Sequence, residues 1–190
     1  KSYIDMDYVY GPLSNEGGEN PLDYEAMTAN PAEFVVVATN AETGEARYFN
    51  KSDMSPNHYD ILKASCSIPF VCQPYQIDGV PYYDGALGDP IPIMKAFSLG
   101  CDKAVLILTK PRDFMIHRKY PKAAEGLRQR ADRYNRQVEL AKEYEAQGKL
   151  LIVAPDDTCG MDTLTQDTKA MKRFYQKGLH DGEQIAAFIS

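Results

Sequence analysis

Three short apolar runs, separated by stretches with helical periodicity, constrain the fold of this 190-residue chain more than any other feature. The runs are rich in Val, Ile and Leu and occupy residues 33–39, 103–109 and 150–154. A continuous run of this kind is typical of a strand that is covered on both faces, as in a parallel sheet. The order of strand, helix, strand, long helix and strand therefore predicts an α/β fold, with a largely parallel sheet flanked by helices.

Local signals add further elements to this scheme. Residues 45–49 alternate like a strand and should form an edge hairpin with the first apolar run, and Asp78-Gly79 predicts a tight turn between two strand pieces within 76–83. The residues Ser55-Pro56 are typical of a helix start, and Gly100 of a helix end. Capping residues and apolar periodicity together predict helices over 52–65, 90–99, 122–149, 165–177 and 181–189.

Composition excludes several classes of protein. No segment approaches the roughly 20 apolar residues of a membrane span, so we expect a soluble protein. The net charge of −6 argues against nucleic acid as the main partner. The four cysteines form no C-x-x-C pair, which leaves no sign of a metal site and favours reduced thiols in a cytoplasmic protein.

The charge is unevenly distributed along the chain. Residues 1–60 carry eleven acidic and three basic side chains, whereas 112–136 carry eight basic and three acidic ones. A basic patch that includes Arg118, Lys119 and Lys122 could contact anionic lipid head groups at a membrane surface. The alternative interpretation is an ordinary solvated helix face.

Asp84 is the candidate catalytic residue. It follows a short apolar strand and precedes Gly85 and Ala86, so that a glycine turn leaves its carboxylate at the end of a strand. Ligands of α/β sheets bind at such positions. The carboxylate could accept a proton from a nucleophilic hydroxyl, or it could simply cap the loop as an Asx-turn.

The surroundings of Asp84 resemble the second motif block of the patatin-like phospholipases. In that block a helix ending in Ala-Ser-x-x-x-Pro leads through a glycine-containing turn to Tyr-x-Asp-Gly-Gly/Ala. The matching residues are Ala64-Ser65 with Pro69, Asp78-Gly79, and Tyr82-Tyr83-Asp84-Gly85-Ala86. The resemblance extends from about Phe34 to the C-terminus. It implies a three-layer α/β/α fold and a hydrolase of lipid acyl esters.

The family implies a Ser-Asp dyad, of which only the aspartate has a counterpart here, at Asp84. No Gly-x-Ser-x-Gly occurs in the chain. We therefore interpret residues 1–190 as an incomplete, C-terminal part of a patatin-like domain, with closing helices from about 165. Ala96-Phe-Ser98-Leu-Gly100 imitates the nucleophile motif, but it is predicted to lie at a helix end rather than on a strand-to-helix turn.

The resemblance predicts a phospholipase, lysophospholipase or esterase that requires no metal or organic cofactor. The isolated chain should be inactive because it lacks the serine, and an exposed sheet edge should favour self-association. The alternative is a non-catalytic lipid-binding or interaction module on the same fold. A nucleotide-binding domain is disfavoured, since neither Gly-x-Gly-x-x-Gly nor a P-loop motif occurs.

Overall fold

The structure is a computed structural model that describes residues 4–116, 125–162 and 165–190. The strands are β1 (Val35–Asn40), β2 (Ala46–Asn50), β3 (Tyr75–Ile77), β4 (Val80–Asp84), β5 (Ala104–Ile107) and β6 (Leu150–Val153). The helices are α1 (Met6–Tyr8), α2 (Tyr24–Ala29), α3 (Asp60–Ser65), α4 (Ile93–Ser98), α5 (Glu125–Ala146), α6 (Thr168–Gly182) and α7 (Gln184–Ile189). Among the described residues, no helix is both long enough and apolar enough to cross a lipid bilayer.

The chain divides after Pro90 into two compact units. The first unit contains the described residues up to Pro90 together with 125–130, and the second contains the remainder. Each unit has its own apolar core.

The first unit is built on a four-stranded sheet in the order β2-β1-β4-β3. Helix α3 packs on this sheet through Ile61 and Ala64, which are buried against Val36, Ala38 and Tyr82. The β3–β4 hairpin turns at Asp78 and Gly79, which both have positive φ, as the predicted two-residue turn requires.

The predicted α/β class is confirmed, but the strand directions differ from the expectation. All three pairings in the four-stranded sheet are antiparallel, whereas a largely parallel sheet was predicted. For two of these pairings the physical reason is the length of the connection, since the β1–β2 and β3–β4 links are far too short for the crossover that parallel neighbours need. The antiparallel β1–β4 pairing joins strands that are distant in sequence, so no local signal indicated it. The parallel arrangement is found in β5 and β6.

Helix α3 begins later than predicted. The expected helix over 52–65 is reduced to Asp60–Ser65, preceded by a 3-10 turn at Lys51–Asp53. Asn57 has a φ of 63°, and the His58 N–H donates to the carbonyl of Ser55 in a local turn. A backbone in the left-handed region cannot continue a right-handed helix, so Ser55-Pro56 belongs to a turn.

In the second unit, α4 and α5 pack on the β5–β6 pair. The predicted stripe of α5 is confirmed, because Val138 and Ala141 are buried with Ile93, Leu150 and Ile152. β6 is largely buried, as expected from its apolar sequence. β5 is more exposed than predicted, and its Ile107 is 67% exposed.

Candidate active site

Asp84 is the last residue of β4 and extends past the end of β3. The β3–β4 pairing runs only as far as Tyr75 opposite Tyr82, whereas Asp84 pairs with Ala38 of β1. The predicted position of this carboxylate at a strand end is therefore confirmed. Gly85–Leu87 then form a single 3-10 turn that leads the chain out of the sheet.

The two carboxylate oxygens of Asp84 have different surroundings. Oδ1 accepts a hydrogen bond of 2.7 Å from the backbone N–H of Ala86, so it caps the 3-10 turn in the manner of an Asx-turn. Within the part of the chain that the structure describes, no hydrogen-bond donor reaches Oδ2. One oxygen thus holds the side chain in place, while the other accepts no hydrogen bond from the described residues.

Burial raises the pKa of the Asp84 carboxyl, although the Ala86 N–H and the charge of Arg130 act in the opposite direction. The carboxyl group is half-buried at the surface of its unit rather than enclosed in an apolar interior. A carboxylate with a raised pKa is a stronger base than an ordinary aspartate. It therefore meets the first electrostatic requirement for a proton acceptor.

The backbone of Asp84 is held from two sides. Its N–H donates to the carbonyl of Ser67, 2.9 Å away, and its carbonyl accepts a 2.8 Å hydrogen bond from the hydroxyl of Thr39. The Thr39 side chain, which is only 2% exposed, also accepts a 2.9 Å hydrogen bond from the Gly88 N–H. Thr39 thus connects both ends of the turn that follows Asp84.

Gly85 is required for a different reason from the one expected. A backbone turn that most residues would resist was predicted, but Gly85 is absent from the positive-φ residues. A Cβ atom there would lie 2.3 Å from the carbonyl oxygen of Val37, an impossible contact. Gly85 is therefore needed because the turn passes directly against β1.

A second anchor holds the far end of the turn. The hydroxyl of Tyr48, on β2, donates a 2.5 Å hydrogen bond to Oδ2 of Asp89. Burial together with this hydrogen bond raises the pKa of Tyr48 to about 12. The segment that follows Asp84 is thus fixed to two strands of the sheet.

The sequence interpretation missed Thr39, Tyr48 and Ser67 as supporting residues. A polar residue at the end of an apolar run was the only signal for Thr39, and it could not identify Gly88, which is 49 residues away, as its partner. Tyr48 and Ser67 gave no local signal at all. These contacts depend on tertiary structure.

A cavity of about 670 Å³ opens on the first unit. Its floor includes Phe49, Met54 and Tyr82, and Arg47 lies at its margin with the guanidinium 5.4 Å from the Phe49 ring centroid. Tyr82 is on the same strand as Asp84, two residues earlier, so the two side chains emerge on the same side of the sheet. The cavity therefore lies on the side of the sheet that carries Asp84, and its lining is mixed, with Asp53 and Asp78 beside the buried Phe49 and Tyr82.

The remaining predicted features have different outcomes. Ser98 lies at the C-terminal end of α4, where its hydroxyl donates to the Lys95 carbonyl, and Gly100 follows with a φ of 91°. This is the helix end that was expected, not a nucleophile turn. The basic residues Arg118, Lys119 and Lys122 lie outside the described residues.

Comparisons with known proteins divide the chain in a similar way. A family model for the patatin-like phospholipases matches residues 13–97, and one for a domain of unknown function, DUF6363, matches residues 120–189. The uncharacterized protein YjjU of Escherichia coli (strain K12) is 28% identical over 119 residues, which cover 54% of this chain and 33% of that protein. The matched region thus spans a third of the length of this curated relative.

Proposed function

We propose that this chain, whose residues 13–97 belong to the patatin-like phospholipase family, forms part of a serine hydrolase that cleaves lipid acyl esters. Asp84 is the base of a Ser-Asp dyad in this proposal. The supporting observation is the asymmetry of its carboxylate, in which Oδ1 is held by the Ala86 N–H while Oδ2 has no donor among the described residues. A general base needs this combination of fixed position and free lone pair.

In the proposed reaction, Oδ2 of Asp84 accepts and returns a proton twice, once in each half. Oδ2 takes the proton of a serine hydroxyl as the serine oxygen attacks the ester carbonyl, and the protonated Asp84 then returns the proton to the departing alkoxide. In the second half, Asp84 takes a proton from water, whose oxygen attacks the acyl-serine, and returns it to the serine as the carboxylic acid leaves. No redox step or cofactor enters this scheme.

The serine has no counterpart in these 190 residues, because they contain no Gly-x-Ser-x-Gly. The proposal therefore assigns the serine and the oxyanion donors to patatin-like sequence outside this chain. It also predicts that the isolated chain does not hydrolyse esters. The substrate class in this proposal is the acyl ester of a lipid or lysolipid.

The test is Asp84→Asn in the complete enzyme, assayed with p-nitrophenyl butyrate and with a lysophospholipid. Asparagine keeps the acceptor for the Ala86 N–H but cannot take a proton, so we expect kcat to fall about a thousandfold. Asp102→Asn is the matched control, because Asp102 is exposed in the link between α4 and β5 and does not line the cavity on the first unit. Near-normal turnover in Asp84→Asn would remove Asp84 from the mechanism, whereas a complete wild-type protein that hydrolyses neither ester would favour a non-catalytic lipid-binding module.

A further inference from the structure

Helix α6 carries an apolar stripe that faces away from the core of its unit. Met171, Tyr175 and Leu179 follow one another at intervals of four residues and are 42%, 64% and 54% exposed. The same helix packs on its own unit through another side, where Ala170 is buried and Phe174 is half-buried. The exposed stripe is thus separate from the side of the helix on which Ala170 is buried.

Unpaired cations lie beside this stripe. Lys169, Lys172 and Arg173 are exposed, and among the described residues none of them forms an ion pair. Their spacings of three and four place them on one side of the helix, and Lys172 lies three residues before Tyr175 at the edge of the stripe. By contrast, Lys177 is paired with Asp156 and Asp181. This local excess of positive charge occurs in a chain whose net charge is −6.

We propose that α6 docks on an anionic lipid surface, lying in the plane of the interface with its exposed stripe buried among the lipids. An exposed apolar side bordered by lysine and arginine is the pattern of an interfacial helix. The tyrosine at the centre of the stripe suits the boundary between head groups and acyl chains. Lys172 can extend its apolar stem along the stripe while its ammonium reaches the lipid phosphates.

A second copy of the chain is the less suitable partner for this surface. Three side chains are few compared with the roughly 800 Å² per partner that a stable protein interface buries. An anionic lipid surface instead supplies the missing negative charge.

The test is cosedimentation of this chain with vesicles of phosphatidylcholine alone and with 30% phosphatidylglycerol. We expect binding to the anionic vesicles that weakens in 0.5 M NaCl, because salt screens the attraction of Lys172 and its neighbours. Leu179→Gln should weaken this binding about tenfold by removing apolar burial. Lys172→Gln should weaken it about fivefold.

Two matched controls separate this surface from general effects. Gln176→Ala changes an exposed neutral residue of α6, and Lys149→Gln removes an exposed charge outside α6, so both variants should bind as the wild type does. Equal binding of the wild type and Leu179→Gln, or equal binding to neutral and anionic vesicles, would overturn the proposal. So would a dimer in sedimentation velocity that Leu179→Gln dissociates. The test requires no ester hydrolysis, so it is independent of the role proposed for Asp84.

Discussion

Asp84 combines an oxygen that no donor among the described residues reaches with a cost in stability. Burial disfavours its charged form, and the hydrogen bond from Ala86 together with the charge of Arg130 offsets only part of that cost, because the pKa remains raised. The folded protein therefore binds this proton more tightly than the unfolded chain does. Ionised Asp84 thus lowers the stability at neutral pH.

We accordingly expect Asp84→Asn to raise the melting temperature at pH 7, by an amount equivalent to about 1 kcal/mol. The amide removes the buried charge and keeps the acceptor for Ala86. The gain should shrink as the pH falls through the raised pKa and vanish below the ordinary value of 3.8, where Asp84 is protonated in both states. Thermal melts of both proteins from pH 3 to 8 check this. A gain that persisted at pH 3 would have another cause.

At the scale of elements, Glu145 of α5 accepts a hydrogen bond from a backbone N–H on the side of β6 that does not pair with β5. Its Oε1 accepts a 2.9 Å hydrogen bond from the N–H of Ile152, which points away from β5, and its Oε2 contacts Arg112. Ile152 is buried, so this N–H has no ready access to solvent. A helix side chain thus takes the place of a neighbouring strand.

Glu145→Ala should lower the free energy of unfolding by about 2 kcal/mol, because it leaves the Ile152 N–H buried without a partner. Urea denaturation measures the loss, and amide exchange at Ile152 should accelerate. Glu145→Gln is the control: it retains the acceptor oxygen and loses only the ion pair with Arg112, so its cost should stay below about 1 kcal/mol. Equal losses in both variants would assign the stability to the ion pair.

At the scale of the whole molecule, the chain has two apolar cores. Ile61 is central to the first and Val138 to the second, and each side chain is 1% exposed. The matches to family models follow a similar division, since the patatin-like match ends at 97 and the DUF6363 match begins at 120. Because each unit has its own core, one unit can unfold locally while the other stays folded.

We therefore expect Ile61→Ala to cost about 3 kcal/mol in the first unit and to accelerate amide exchange in β1 and β4 while leaving β5 and β6 unchanged. Val138→Ala should produce the reverse pattern. Native-state hydrogen exchange of the two variants provides the measurement. Uniform acceleration across all strands in either variant would mean that the chain unfolds as one cooperative unit.

Features that depend on a few neighbouring residues could be predicted from the sequence. The Asp78-Gly79 hairpin follows from the positive φ that both residues tolerate, and the buried side of α5 follows from its periodicity. The position of Asp84 at a strand end followed in the same way. The helix start predicted at Ser55-Pro56 was wrong, because Asn57 has a positive φ and a right-handed helix cannot continue through it.

The amino-acid sequence by itself determined the strands, most of the helices and the position of Asp84 at a strand end, because local backbone preferences and periodicity act within one or two turns of chain. Only the tertiary structure decided that β1 has antiparallel neighbours, that Gly85 lies against the Val37 carbonyl and that Thr39 holds Gly88. These contacts join residues many positions apart. Their partners are selected by how the strands pack, which no short stretch of sequence records.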